Sequence, residues 1–161
     1  MNCNEIRRYY NECRYGDYAY GDSKVEIPEK EKPVNSEYGY IEINITENLG
    51  RESAKHPVLT IYVNKDGQKV PVKRLYPVQN PTLIELPMAH PNGTLVESPE
   101  YYFTPYDLTI ESEGHYKIIT QNIRLFPNIK SLFVYNLNDI IPGELNHDEI
   151  TIFPPHPRDI M

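Results

Sequence analysis

The sequence predicts an all-β fold: a single antiparallel β-sandwich of about seven strands, preceded by a short N-terminal arm that is helical or disordered. Three observations carry that expectation. Residues suited to pleated, half-buried strands abound, with 17 Ile, 9 Val, 8 Thr and 14 Tyr against only 3 Ala. Fifteen Pro and eight Gly among 161 residues interrupt the chain too often for long helices beyond Ile27. Apolar residues also alternate with polar ones in one short run after another, divided by turn residues every 8 to 12 positions or about that.

In chain order, residues 1–37 form a Tyr-rich arm and a charged linker, with five Tyr in the first twenty positions. Ile6, Tyr9, Tyr10 and Cys13 fall at i, i+3, i+4 and i+7, one face of a short amphipathic helix. Asn2 and Glu5 have the spacing of a capping box, and Gly16 is placed to end the helix. A helix this short is marginal alone in water, so its aromatic face is a candidate docking face.

Residues 38–141 are expected to be the sandwich. Ile41, Ile43 and Ile45 alternate with Glu42 and Asn44, as in a strand with one face on a core. Residues 57–63 read as a second strand, closed by the turn Asn64-Lys65-Asp66-Gly67, whose Asp-Gly pair supplies the positive φ of a tight hairpin. Residues 70–76 follow as the third strand. Residues 82–86 form a short strand between Pro81 and Pro87, leading into a Pro- and Gly-bearing loop over 88–100, long enough to be either functional or mobile. Tyr106, Leu108 and Ile110 alternate again, and Glu113-Gly114 turns the chain into 116–120. A stretch at 123–126, a turn at Pro127-Asn128 and a last strand at 131–137 complete the pattern. Residues 142–161, with three Pro in IFPPHP, are expected to be an extended tail.

Charge and composition exclude some functions. A net charge of −7 and a pI near 5.2 argue against nucleic acid as a partner, because phosphate binding rests on clustered Lys and Arg. No run approaches the ~20 apolar residues of a membrane span, and MNCNEIRRYY lacks the apolar segment of a signal peptide. The chain therefore reads as made in the cytoplasm, without a membrane partner. Cys3 and Cys13, ten positions apart, would lie about 15 Å apart along a helix, too far for a disulfide within the arm.

The search for chemistry is empty. There is no G-x-S-x-G elbow, P-loop or H-E-x-x-H, and the five His lack ligand spacing, so no catalytic residue, cofactor or metal is expected. Carboxylates such as Glu111, Glu113, Asp148 and Glu149 read as solvated turn residues. Tyr101, Tyr102 and Phe103 stand beside the long loop as candidate contacts for a ligand or partner, where aromatic faces could stack on a sugar or peptide. Their plainer role is packing.

Residues 102–140 resemble the second half of the transthyretin-like, or carboxypeptidase regulatory-like, β-sandwich domain found in clostridial spore cortex-lytic and peptidoglycan-binding proteins. The resemblance lies in Pro105-Tyr106, Gly114-His115-Tyr116, the run Asn122-Ile123-Arg124-Leu125-Phe126-Pro127-Asn128 and the closing strand from Leu132 to Leu137. Residues 39–45 and 81–87 are similar to its earlier strands. The family often has Gly where Asn128 stands, and a Pro-Ile-Pro-Gly-Ala-like turn where this chain has residues 51–57. Asn tolerates the left-handed conformation, so the turn at 128 survives the change. Hydroxyisourate hydrolases share this fold but end in Tyr-Arg-Gly-Ser, whereas this chain reads Pro157-Arg158-Asp159-Ile160-Met161. The resemblance thus implies a non-enzymatic structural or binding module, associated with the spore or cell wall of a spore-forming Gram-positive bacterium. Its expected partner is a protein or a second copy, met through the arm or a sheet edge. The alternatives are an accessory domain recognising peptidoglycan or another glycan and, further off, a small hydrolase.

Overall fold

The ladder around the Ile41-Ile43-Ile45 row sets the first sheet. In the computed structural model, which describes residues 37–76, 80–145 and 147–155, strand β1 (Tyr38–Glu47) buries those three Ile on one face and leaves Tyr40, Glu42 and Asn44 on the other. One side of β1 is shared by β5 (Thr82–Pro87) and the two-residue β2 (Glu52–Ser53), both antiparallel, and the other side pairs with β10 (Lys130–Asn136). These four strands make the first sheet.

The second sheet has five strands in the order β11-β9-β8-β3-β4. Strands β3 (Val58–Lys65) and β4 (Gln68–Leu75) form the hairpin that the Asp-Gly pair foretold, with φ of 52° at Asp66 and 80° at Gly67. Positive φ at both central residues matches the twist of the flanking strands. Strands β8 (Tyr106–Glu111) and β9 (Ile118–Ile123) continue the sheet, and β11 (Glu149–Ile152) closes its far edge. A short ribbon of β6 (Val96–Glu97) and β7 (Tyr102–Phe103) stands apart.

Both sheets feed one core. Ile41, Ile43, Ile45, Ile84 and Leu86 from the first meet Leu59, Ile61, Val63, Leu108, Ile110, Ile118 and Ile123 from the second in a single buried cluster. Each such side chain contributes roughly 1.5 to 3 kcal/mol by leaving water. Tyr106 is wholly buried among them, and its hydroxyl donates to the Pro87 carbonyl, which meets the polar requirement of the phenol. That burial pushes its ionisation far up.

The all-β expectation stands: among the described residues there is no helix, and eleven strands are present. Several finer expectations are corrected. The ladder is not purely antiparallel, since β1 with β10 and β9 with β11 pair in parallel. Alternation in a sequence reports which face is buried and carries no information on strand direction. Within the stretch expected to be a tail, Glu149–Ile152 form β11. The stretch at 123–126 lies past the end of β9 and carries no strand beyond Ile123. Asn122 takes a φ of 61° while its N–H donates to Asp107 Oδ1 at 3.1 Å, and the chain leaves the sheet after Ile123.

Candidate functional site

Two of the three aromatic residues singled out beside the long loop, Tyr101 and Phe103, are held by an arginine. Phe103 is buried at the base of β7, Tyr101 is half-buried against the core, and Tyr102 is half-buried at the start of the same strand. The Arg124 guanidinium lies 4.2 Å from the Phe103 ring centre, 5.0 Å from Phe126 and 5.3 Å from Tyr101, and its Nη2 donates to the Tyr101 hydroxyl at 3.0 Å. A guanidinium on aromatic faces is attracted by the ring quadrupole. It also covers those faces, so Phe103 and Tyr101 are engaged within the chain. Arg124 was missed from sequence; no local pattern marks a lone Arg before an apolar pair as a stacking residue.

The loop at 88–100 is tied down at several points. Thr94 N–H donates to the Asn64 carbonyl at 2.6 Å, Thr104 N–H to the Met88 carbonyl at 2.8 Å, and His90 N–H to Thr104 Oγ1 at 3.0 Å. Met88 and Thr104 are fully buried.

A polar cluster sits at the end of β1. Glu47 is buried there, with Lys55 Nζ at 3.5 Å and His115 Nε2 at 3.9 Å. His115 Nε2 also lies 3.2 Å from Asp139 Oδ1, and its Nδ1 is 2.9 Å from the Glu113 carbonyl. Here a histidine and carboxylates do converge, beside a polar groove of about 420 Å³ lined by Asn48, Leu49 and Asp139 among others. A base that activates a nucleophile must reach its hydroxyl or thiol. Both ring nitrogens of His115 instead face carboxylates or a carbonyl, and no Ser, Thr or Cys side chain bonds it among the described residues. The arrangement ties the turn after β8 to the segment after β10, where His115 and Asp139 form a bridge.

An apolar flank lies where β10 and the segment after β11 meet. An apolar groove of about 310 Å³ runs there between Phe126, Phe133, Phe153, Pro154 and Pro155. Phe153 meets Phe133 edge-on at 5.8 Å, and Thr120 and the Tyr135 hydroxyl join the two sheets at 2.9 Å. Burial pushes the Tyr135 hydroxyl up, with the Thr120 bond opposing.

Strand β10 is an edge. It pairs with β1 and, among the described residues, with no other strand. Tyr40 N–H donates to the Ile129 carbonyl and Leu137 N–H to the Thr46 carbonyl, which fixes the phase of the parallel ladder: odd-numbered residues from 129 to 137 turn their backbone groups to β1. The N–H and C=O of Lys130, Leu132, Val134 and Asn136 therefore point away from it. On the outer face, Leu132 is 62% and Val134 64% exposed. The signal for this was present in sequence: in SLFVY the positions facing water are as apolar as those facing the core, which breaks the alternation expected of a strand with one wet face.

The proposed docking face of Ile6, Tyr9, Tyr10 and Cys13 lies outside the described residues. No protein-family model matches the chain, and no curated protein matches it either.

Proposed function

We propose that the protein is a non-catalytic structural or binding module that works by joining other protein chains. Its body is read as a transthyretin-like β-sandwich with β1, β3, β4, β5, β8, β9 and β10, the seven strands of six or more residues, as its principal strands. The observation that carries the reading is the β10 edge, where backbone groups that pair with no other strand among the described residues lie beside two exposed apolar side chains. The resemblance to spore and peptidoglycan-binding domains supplies the setting, a spore or cell-wall layer, in which a rigid platform with an attachment arm would be useful.

The test is the solution mass of the full chain, with and without reductant, beside a chain beginning at Glu37. Association of the full chain in either condition supports the reading, and loss of it in the shortened chain assigns attachment to the arm. Sedimentation with purified peptidoglycan, abolished by Tyr101→Ala with Tyr102→Ala, would replace this reading with glycan recognition. That outcome would require Arg124 to yield the Tyr101 face.

A further inference from the structure

We infer that β10 pairs with β10 of a second copy of this chain, antiparallel and centred on Phe133, so that the first sheets of two molecules become one continuous sheet. This rests on the reading of the protein as a module that joins chains, and names the surface and the occupant.

The argument begins with how the other edges are guarded. Edge strands that must stay single carry charge, Pro or extreme shortness. Strand β4 carries Lys69, Pro71, Lys73 and Arg74; β5 follows Pro81 and ends on Pro87; β2 is two residues, one of them Glu52; β11 has four residues, opens on Glu149 and runs into Pro154-Pro155. Strand β10 has none of this along its middle. Its single charge, Lys130, is drawn onto Glu42 of β1 in its own sheet.

The edge is also complementary to itself. Pairing about Phe133 sets Leu132 opposite Val134 of the second copy, Val134 opposite Leu132, and Lys130 opposite Asn136. These even-numbered residues are the ones whose backbone groups face outward, so each becomes a hydrogen-bonded pair exchanging two bonds, roughly eight in all. Shifting the centre to residue 132 would set Lys130 against Val134, and shifting it to 134 would set Leu132 against Asn136. Those registers leave one exposed apolar residue of each copy facing itself and the other facing a polar partner, whereas the Phe133 register sets both exposed residues of each copy opposite apolar ones. The two exposed residues of each copy then form one four-membered apolar cluster on the outer face, the unit by which cross-strand pairs stabilise a sheet.

The test uses the full chain throughout, by sedimentation equilibrium in reductant over a concentration series. The unaltered chain is expected to be dimeric in the micromolar range. Leu132→Glu alone, and Val134→Lys alone, set a charge against an apolar partner twice per dimer and are expected to weaken association about tenfold or more. The double variant L132E with V134K faces Glu with Lys across both symmetric pairs in this register, and is expected to recover most of that loss. Leu83→Glu alters the same outer face on β5, away from the edge, and is expected to leave the mass unchanged. Circular dichroism and thermal unfolding of each variant separate loss of pairing from loss of fold. A dimer indifferent to L132E and V134K, or a double variant as weak as the singles, overturns this pairing while leaving the module reading in place. A full chain that stays monomeric at about 100 µM overturns the pairing and removes self-association from the module reading as well.

Discussion

Left-handed backbone at two residues shows how a single position can run with or against its local chemistry. Asn128 has a φ of 55° in the turn after Pro127, and Asn is among the few residues with a side chain that adopt this conformation readily. Leu49 has a φ of 58° between Asn48 and Gly50, and its side chain is 84% exposed. A Leu there bears the clash between Cβ and backbone with little burial to offset it. Leu49→Asn is therefore expected to stabilise the protein by about 0.5 to 1 kcal/mol, while Asn128→Ala destabilises it by about 1 kcal/mol. Urea unfolding midpoints check both, and a Leu49→Asn midpoint below that of the unaltered chain would contradict the argument. The first of these positions was legible in sequence, because Asn after Pro is a turn signal. The second was not, since nothing in ENLG says that Leu must share the left-handed arc with its neighbours.

Among the elements, the loop at 88–100 is anchored by contact as well as by hydrogen bonds. A Cβ added at Gly93 would stand 2.3 Å from Thr104 Cγ2 and 3.2 Å from Val63 Cβ, so the loop backbone lies directly on β3 and on the residue after β7. Gly93→Ala should then cost about 1 to 3 kcal/mol by overpacking. The combination with Thr104→Ser removes the nearest methyl while keeping the hydroxyl that accepts from His90 N–H, and should recover part of that loss in the same thermal melts. A double variant no better than Gly93→Ala would mean that the strain lies in the backbone. At this scale the sequence was most readable where apolar and polar residues alternate: the rows in β1 and β8, and the Asp66-Gly67 hairpin, follow from period and turn chemistry alone. Strand β11 was hidden because its four residues border a Pro-rich segment, and Ile150 and Ile152 remain more than half exposed, so no buried stripe announces it. Of the candidate site, Tyr101, Tyr102 and Phe103 were found by type, whereas Arg124, which stacks on Tyr101 and Phe103, and the open β10 edge depend on which strands become neighbours.

For the whole molecule, the decisive contact is the parallel ladder that joins β1 near the start of the sandwich to β10, pairing Tyr40 with Lys130 through Thr46 with Asn136. Residues some ninety positions apart must meet before the central strand of the first sheet has a neighbour on that side. Loop closure over such a span is paid before any contact rewards it, which places folding toward the slow range of milliseconds to seconds. The inner face of β10 also covers the core, since Phe133 and Tyr135 pack on it and Leu137, just past the strand, belongs to it. A chain ending at residue 129 should therefore lack a cooperative unfolding transition, because Ile41, Ile43 and Ile45 lose their cover on one side. A chain ending at residue 148 loses β11, the bonds of Asn138 to Glu149 and Asn122 to Phe153, and the Phe133–Phe153 contact, and should unfold cooperatively with stability lower by about 1 to 3 kcal/mol. Differential scanning calorimetry separates the two cases. A sharp transition in the shorter chain would show that β1 needs no partner from the far end of the sequence, and that β5 and the remaining second sheet suffice to hold the core.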